Sequence, residues 1–324
     1  MKELEIDPQM ALEVENLLQL NLQANKQPFW ETQEAEEIFV PVEDGEIRVF
    51  HHKPLNPISK RPIVFVPGWG ALLDSFRDFY EIIFHRAEFF HIETREKISS
   101  RLHRRRARMD MNQKARDLRD VIRNLGIDQR PDYLLFGTCW GSAIILQGLI
   151  DRILASPTVI AFDPMHTLWF PKWLLNWVVP FTTISMANLI RPLAKRITLS
   201  GMTEEVQRKR TGRFIDNAEI WKWKRAALHT KNFELFGNLH RVLQEVFVCN
   251  GTRDKIHDNS HYPKIAMEIP KGRFLYMKTD ESKRERLMGI VALEFAKIRQ
   301  ENGLPSLFQR FEKILQRQNS FSFQ

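Results

Sequence analysis

The sequence predicts an α/β fold: a doubly wound, mostly parallel sheet with a helical cap inserted after the strand that follows a central strand–turn–helix unit. Three observations carry this. Short apolar runs alternate with helical patterns along most of the 324 residues, the order that puts parallel strands in the middle and helices on both faces. One run, Tyr133 to Phe136, leads through Gly137-Thr138-Cys139-Trp140-Gly141 straight into an apolar helical pattern. Between about 165 and 243 the strand pattern stops and tryptophan becomes dense, at 169, 173, 177, 221 and 223.

Taken in order, residues 1–35 form an N-terminal segment whose helical spacing of Leu and Val runs from about 9 to 25. Ile38–Val42 and Ile47–Phe50 alternate on either side of Asp44-Gly45 and read as a hairpin. Pro62–Val66 is continuously apolar, as suits a strand covered on both faces. It ends in Pro67-Gly68-Trp69-Gly70, and a helix carrying Phe76, Phe79, Tyr80 and Ile83 follows. A strand at Phe89–Glu93, a charged helix from about Asn112 to Leu125, and a helix through about Leu154 complete the first half. Thr158–Phe162 is the next strand, closed by Asp163-Pro164. After the cap at 165–243, alternation returns with strands at Glu245–Cys249 and Arg273–Met277 and a helix from Ser282 to Gln300. The core is thus 36–164 with 244–302. Residues 303–324 are expected to hold an amphipathic helix (Leu307, Phe308, Phe311, Ile314, Leu315) and a polar tail.

Composition bounds the function classes. Hydrophobic residues make up 43% and charged residues 27% of the chain, ordinary for a globular protein. Its two cysteines, 139 and 249, do not make a disulfide framework. The acidic start Met1-Lys2-Glu3-Leu4-Glu5 lacks an apolar core segment, and no apolar run reaches bilayer-spanning length. A cytoplasmic setting is expected. The net charge is +8, with much of the excess between Arg95 and Arg123, densest at Arg101, Arg104, Arg105, Arg106 and Arg108. This run reads as a solvated loop and helix face. Aromatics do not interleave with it as base stacking requires, so no nucleic-acid partner is expected.

The Gly-x-Cys-x-Gly turn carries the chemistry. A strand that delivers one residue into a strained turn above a helix leaves no room for Cβ atoms where strand and helix press together, which suits Gly137 and Gly141. The helix N-terminus favours a thiolate and aims backbone N–H groups at a developing oxyanion.

Hairpin, elbow and helical insertion together resemble the α/β-hydrolase fold over roughly residues 36–300, with 165–243 in the place of that family's variable cap. The resemblance implies that Cys139, between the two elbow glycines, is the nucleophile. Serine is commoner there, but dienelactone hydrolases and polyhydroxyalkanoate synthases use cysteine. It implies an oxyanion hole made by the Trp140 N–H and the Trp69 N–H. The Pro67-Gly68-Trp69-Gly70 turn stands where members often carry His-Gly-x-Gly; alone it reads as a turn with a packed indole. It implies an acid at Asp254, in Asn250-Gly251-Thr252-Arg253-Asp254, with Asp163 as the alternative slot or a turn cap. The family's histidine follows the last strand, and here 277–286 holds none; Asp280 or a neighbour stands in its place. His257, His261 and His166 are the substitutes, and the four-residue spacing of the first two is too common to suggest a metal site. No metal and no cofactor is expected. Trp169, Phe170, Trp173 and Trp177 are expected to line an acyl-sized apolar pocket over Cys139, with contact at a membrane interface or packing between cap helices as other uses of the same surface. The expected function is a hydrolase or acyltransferase working on an ester or thioester with a hydrophobic acyl group. The alternative is an inactive α/β-hydrolase-fold protein that binds a ligand or serves as a scaffold.

Overall fold

The computed structural model describes residues 8–19, 28–31, 34–168, 170–200, 202, 205–252, 260–279 and 281–315. In chain order they form α1 (Pro8–Gln19), β1 (Glu36–Val42), β2 (Gly45–His52), β3 (Ile63–Val66), α2 (Arg77–Ile83), β4 (Phe89–Ile92), β5 (Arg101–Leu102), α3 (Met111–Asn124), β6 (Leu134–Thr138), α4 (Trp140–Ile150) and β7 (Thr158–Phe162). Then follow α5 (Ile184–Ser200), α6 (Glu205–Asp216), α7 (Ile220–Thr230), β8 (Val246–Thr252), α8 (His261–Glu268), β9 (Gly272–Thr279), α9 (Arg284–Lys297) and β10 (Glu312–Lys313).

The strands lie in one mostly parallel sheet, ordered β1-β2-β4-β3-β6-β7-β8-β9-β10, with β5 on β2. β1 and β2 are the expected antiparallel hairpin, with Val42 opposite Gly45. β3, β6, β7, β8 and β9 run parallel, so their carboxyl ends open on one edge. Every residue of β3, β6 and β7 is buried, which is why these runs are apolar without alternation. α2 packs on α9, and α3 packs on α4, covering the two faces. β6 therefore lifts Cys139 to the middle of the edge where the strands end.

Some boundaries differ from the sequence expectation. The C-terminal run forms no amphipathic helix: Ser306–Phe311 is a 3₁₀ turn that buries Phe308 and Phe311, three apart as such a turn eclipses them. Glu312 then takes the Arg273 guanidinium through two bonds of 2.7 Å. That fixes β10 as an edge strand on β9 and leaves Ile314 in solvent. The basic run is not all solvated either. Arg104, Arg105 and Arg106 are exposed, but Arg95, Lys97 and Lys114 are buried because each has an acid or carbonyl to meet. Arg95 binds Asp117 at 2.5 and 2.7 Å, and Lys114 binds Glu96 at 2.7 Å.

Residues 163–245 leave the sheet after β7 and return at β8. They hold α5, α6, α7 and one π turn at Leu174–Val178. Arg210 reaches Glu285 at 2.7 Å, Arg213 pairs with Asp74, and the buried Lys222 donates to Lys97 O at 2.9 Å and Ser100 O at 2.7 Å. The insertion thus rests on the loops beyond β3, β4 and β9, beside the elbow.

Candidate active site

Cys139 has φ 53° and ψ −116°, a conformation disfavoured for any side chain bearing a Cβ. Its N–H donates to Phe162 O at 2.9 Å, across to the end of β7. A Cβ on Gly141 would lie 2.1 Å from Val66 O, and one on Gly137 2.7 Å from Ser142 N. The obstacles are backbone atoms, which cannot step aside. Gly141→Ala is therefore expected to cost about 3 kcal/mol or more of stability, read as a lowered urea midpoint. Cys139 is half-buried.

The turn after β3 lies against it. A Cβ on Gly68 would sit 3.2 Å from Cys139 Cβ and 3.6 Å from its Sγ. Lys97 fastens this turn: its Nζ donates to Gly68 O at 2.9 Å and also to Ala71 O. Carbonyl and N–H of one trans peptide point in opposite directions. With Gly68 O held toward Lys97, the Trp69 N–H is turned away from it. Burial pushes the Lys97 ammonium down to about 8, against the pull of Glu96, Glu93 and Cys139, while the nearby Lys114 adds to the fall. Lys114 Nζ lies 4.7 Å from the Trp69 ring centroid and 5.6 Å from that of Trp140. Trp140 is wholly buried between Trp69 (5.4 Å) and Phe233 (5.4 Å).

Arg284, at the start of α9 just beyond β9, enters the region where the resemblance implies a histidine. Its Nε donates to Asp163 Oδ2 at 2.7 Å and its Nη2 to Thr138 Oγ1 at 2.8 Å. Thr138 is the residue before Cys139. Asp163 is fully buried and has φ 45°; among the described residues only three non-glycines have positive φ, and Cys139 and Asp163 are two of them. Burial works to lower the Arg284 pKa, but the charges of Asp163 and Glu285, the Asp163 hydrogen bond and Cys139 outweigh it and raise the value. The guanidinium stays protonated and cannot act as a base.

The structure thus brings Cys139, Trp69, Trp140 and Asp163 together and adds Lys97 and Arg284, which sequence reasoning missed. Arg284 stood within the searched slot, four residues after Asp280. Asp254, His257, Trp169 and Asp280 lie outside the described residues. His261 stacks on His166 at 4.1 Å, and His166 Nδ1 meets Glu234 Oε1 at 2.9 Å. Among the described residues no side chain hydrogen-bonds the Cys139 sulfur. Phe170 packs against the core, but Trp173 and Trp177 face solvent, 63% and 74% exposed. This corrects their placement over Cys139: the turn that carries them buries Leu175 against the core and leaves both indoles outside. The cleft of about 570 Å³ beside the Gly68–Ala71 turn mixes charged side chains, Arg48, Glu93, Lys97 and Arg213, with apolar ones, among them Trp30, Leu72 and Trp223. Among the described residues no group of three His, Cys, Asp or Glu side chains is placed to hold a metal ion.

No protein-family model and no curated protein sequence matches this chain. Solved structures do. An esterase from Exiguobacterium antarcticum is 14% identical with a TM-score of 0.63, over 81% of this chain and 100% of its own. A hydrolase from Pseudomonas aeruginosa PA01 is 13% identical with a TM-score of 0.60, over 79% and 97%. A protein described as a putative lipase from Acinetobacter baumannii AYE is 9% identical with a TM-score of 0.57, over 91% and 96%. At such identities the likeness is one of fold.

Proposed function

We propose that this chain, which has the α/β-hydrolase fold, takes an acyl group from an ester or thioester onto Cys139, as a hydrolase or acyltransferase. The observation that carries the reading is the strained Cys139 backbone at the strand–helix turn, φ 53° and ψ −116°, a cost that a structural cysteine has no reason to bear. Ester chemistry in proteins of similar fold supports it.

The Cys139 thiolate attacks the carbonyl carbon, forming a C–S bond as the π pair moves onto oxygen. The oxyanion meets the N–H groups of Trp69 and Trp140. Its collapse expels the alkoxide or thiolate, which takes its proton from water, and leaves a thioester on Cys139. Arg284 and Lys97 put two cations within electrostatic reach of the sulfur. A thiolate attacks without a general base, whereas water in the second half needs one. Arg284 cannot supply it.

One observation favours a second reading, a ligand-binding protein without catalysis: the Arg284–Asp163 pair fills the place of the base. Incubation with a p-nitrophenyl acyl ester and with an acyl thioester decides between them. The expected result is a burst of about one equivalent of leaving group, followed by slow turnover. An acyl mass increment on Cys139 should be released by hydroxylamine and absent from Cys139→Ala. No burst and no adduct with either class of donor selects the binding protein.

A further inference from the structure

We infer that the 173–197 face of the insertion docks on an anionic lipid surface. Of the fifteen large hydrophobic side chains exposed among the described residues, nine lie between Trp173 and Ile197. They form two adjacent stripes. Trp173, Trp177 and Phe181 recur every four residues. Met186, Leu189, Ile190, Leu193 and Ile197 recur at helical spacing along α5, with Leu189 82% exposed.

α5 is turned the wrong way for a surface helix of a water-bathed protein. Toward the rest of the insertion it presents Arg191 and Lys195. Arg191 donates to Asp216 O at 3.2 Å and Ala218 O at 3.0 Å, and Lys195 to Asp216 Oδ2 at 2.5 Å. No residue of the helix is buried, and its large apolar side chains face out except for the half-buried Ile184 and Leu199. A helix with that arrangement is stable only when something apolar meets it.

Charge decides what that is. From 165 to 200 the sequence has no Asp or Glu, while Lys172 and Arg196 are basic and exposed, Arg191 and Lys195 being held by Asp216 and Ala218. From 165 to 243 there are 13 Lys and Arg against five Asp and Glu, an excess equal to the net charge of the whole chain. Tryptophan and phenylalanine beside leucine and isoleucine, flanked by lysine and arginine, suit the boundary between headgroups and acyl chains. No described helix is long and apolar enough to cross a membrane, so the face lies on the bilayer. The inference does not depend on Cys139 being reactive.

The test is flotation of the full chain with vesicles of phosphatidylcholine alone and with about 30 mol% phosphatidylglycerol, alongside analytical ultracentrifugation. The variant Trp177→Ser/Phe181→Ser/Leu189→Ser changes only exposed side chains and is expected to keep the wild-type melting temperature. Wild type should float with the anionic vesicles at least tenfold more than with the neutral ones. Salt should weaken binding, the serine variant should lose it at least tenfold, and Arg196→Gln/Lys172→Gln should narrow the preference for anionic lipid. Absence of binding to anionic vesicles overturns the proposal, as does binding that the serine variant retains. A dimer that the serine variant converts to monomer, with no vesicle binding, assigns the face to a second copy of the chain and also overturns it.

Discussion

Arg284→Gln is expected to lower stability by about 3–5 kcal/mol, the usual cost of removing one partner from a buried ion pair, and to slow acylation of Cys139 about tenfold or more. The stability loss follows from Asp163, which is fully buried and would lose the cation 2.7 Å away. Asp163→Asn in the same chain removes the orphaned carboxyl, so the double variant should regain most of the loss, a coupling measurable by urea denaturation of the four proteins. The rate loss has a different origin. Arg284 binds Thr138 Oγ1 and lies within electrostatic reach of Cys139, so the restored fold still lacks the cation beside the sulfur and the bond to the residue before it. The double variant is therefore the informative protein. Stable but slow, it makes Arg284 a positioning and charge-supplying residue for Cys139. Stable and as fast as wild type, it reduces Arg284 to a structural ion pair. Arg284→Lys keeps the charge but not the fork that spans Asp163 and Thr138, and should fall between.

The elbow was legible because everything that defines it is local. An apolar run, two glycines and a helix start occur within a dozen residues, and Cys139 can occupy no other place. The parallel sheet was legible for the same reason, strand by strand. Arg284 was not, because its meaning depends on Asp163, 121 residues earlier, and only the alignment of β7 with the start of α9 puts them together. Searching that slot for an imidazole hid the cation that fills it. Lys97 was hidden by composition: a lysine among Arg95, Glu96 and Arg101 reads as solvated, and its burial comes from Gly68, Ala71 and the distant Lys222. The cap showed the opposite limit. The spacing of Trp173, Trp177 and Phe181 says that they share a face, but periodicity does not say whether that face points inward. Packing of Arg191 and Lys195 against Asp216 settled the direction for α5.

Lys97→Met should slow acylation of Cys139 about 100-fold, the effect of losing one oxyanion donor, because its ammonium ties Gly68 O to Ala71 O and so sets the Trp69 N–H. Its role as a positioning residue is separable from a structural one through pH. The folded pKa is about 8, against an ordinary 10.5, a difference worth ~3 kcal/mol. Below about 8 the group is charged in both states, and the folded protein bears the full cost of burying it. As pH rises toward 10.5 the folded protein has released its proton while the unfolded chain still holds one, so stability rises with pH from this group. Wild type should therefore gain up to ~3 kcal/mol on Lys97→Met between pH 7.5 and 10.5, read as the difference between their unfolding free energies. Lys114 and Lys222, also lowered by burial, are common to both proteins and largely cancel. The neutral amine retains two N–H donors, enough to hold both carbonyls, so the turn is expected to stay latched through the titration. A variant that shows the pH difference but acylates at the wild-type rate would leave Lys97 as a buried charge with no part in placing the oxyanion.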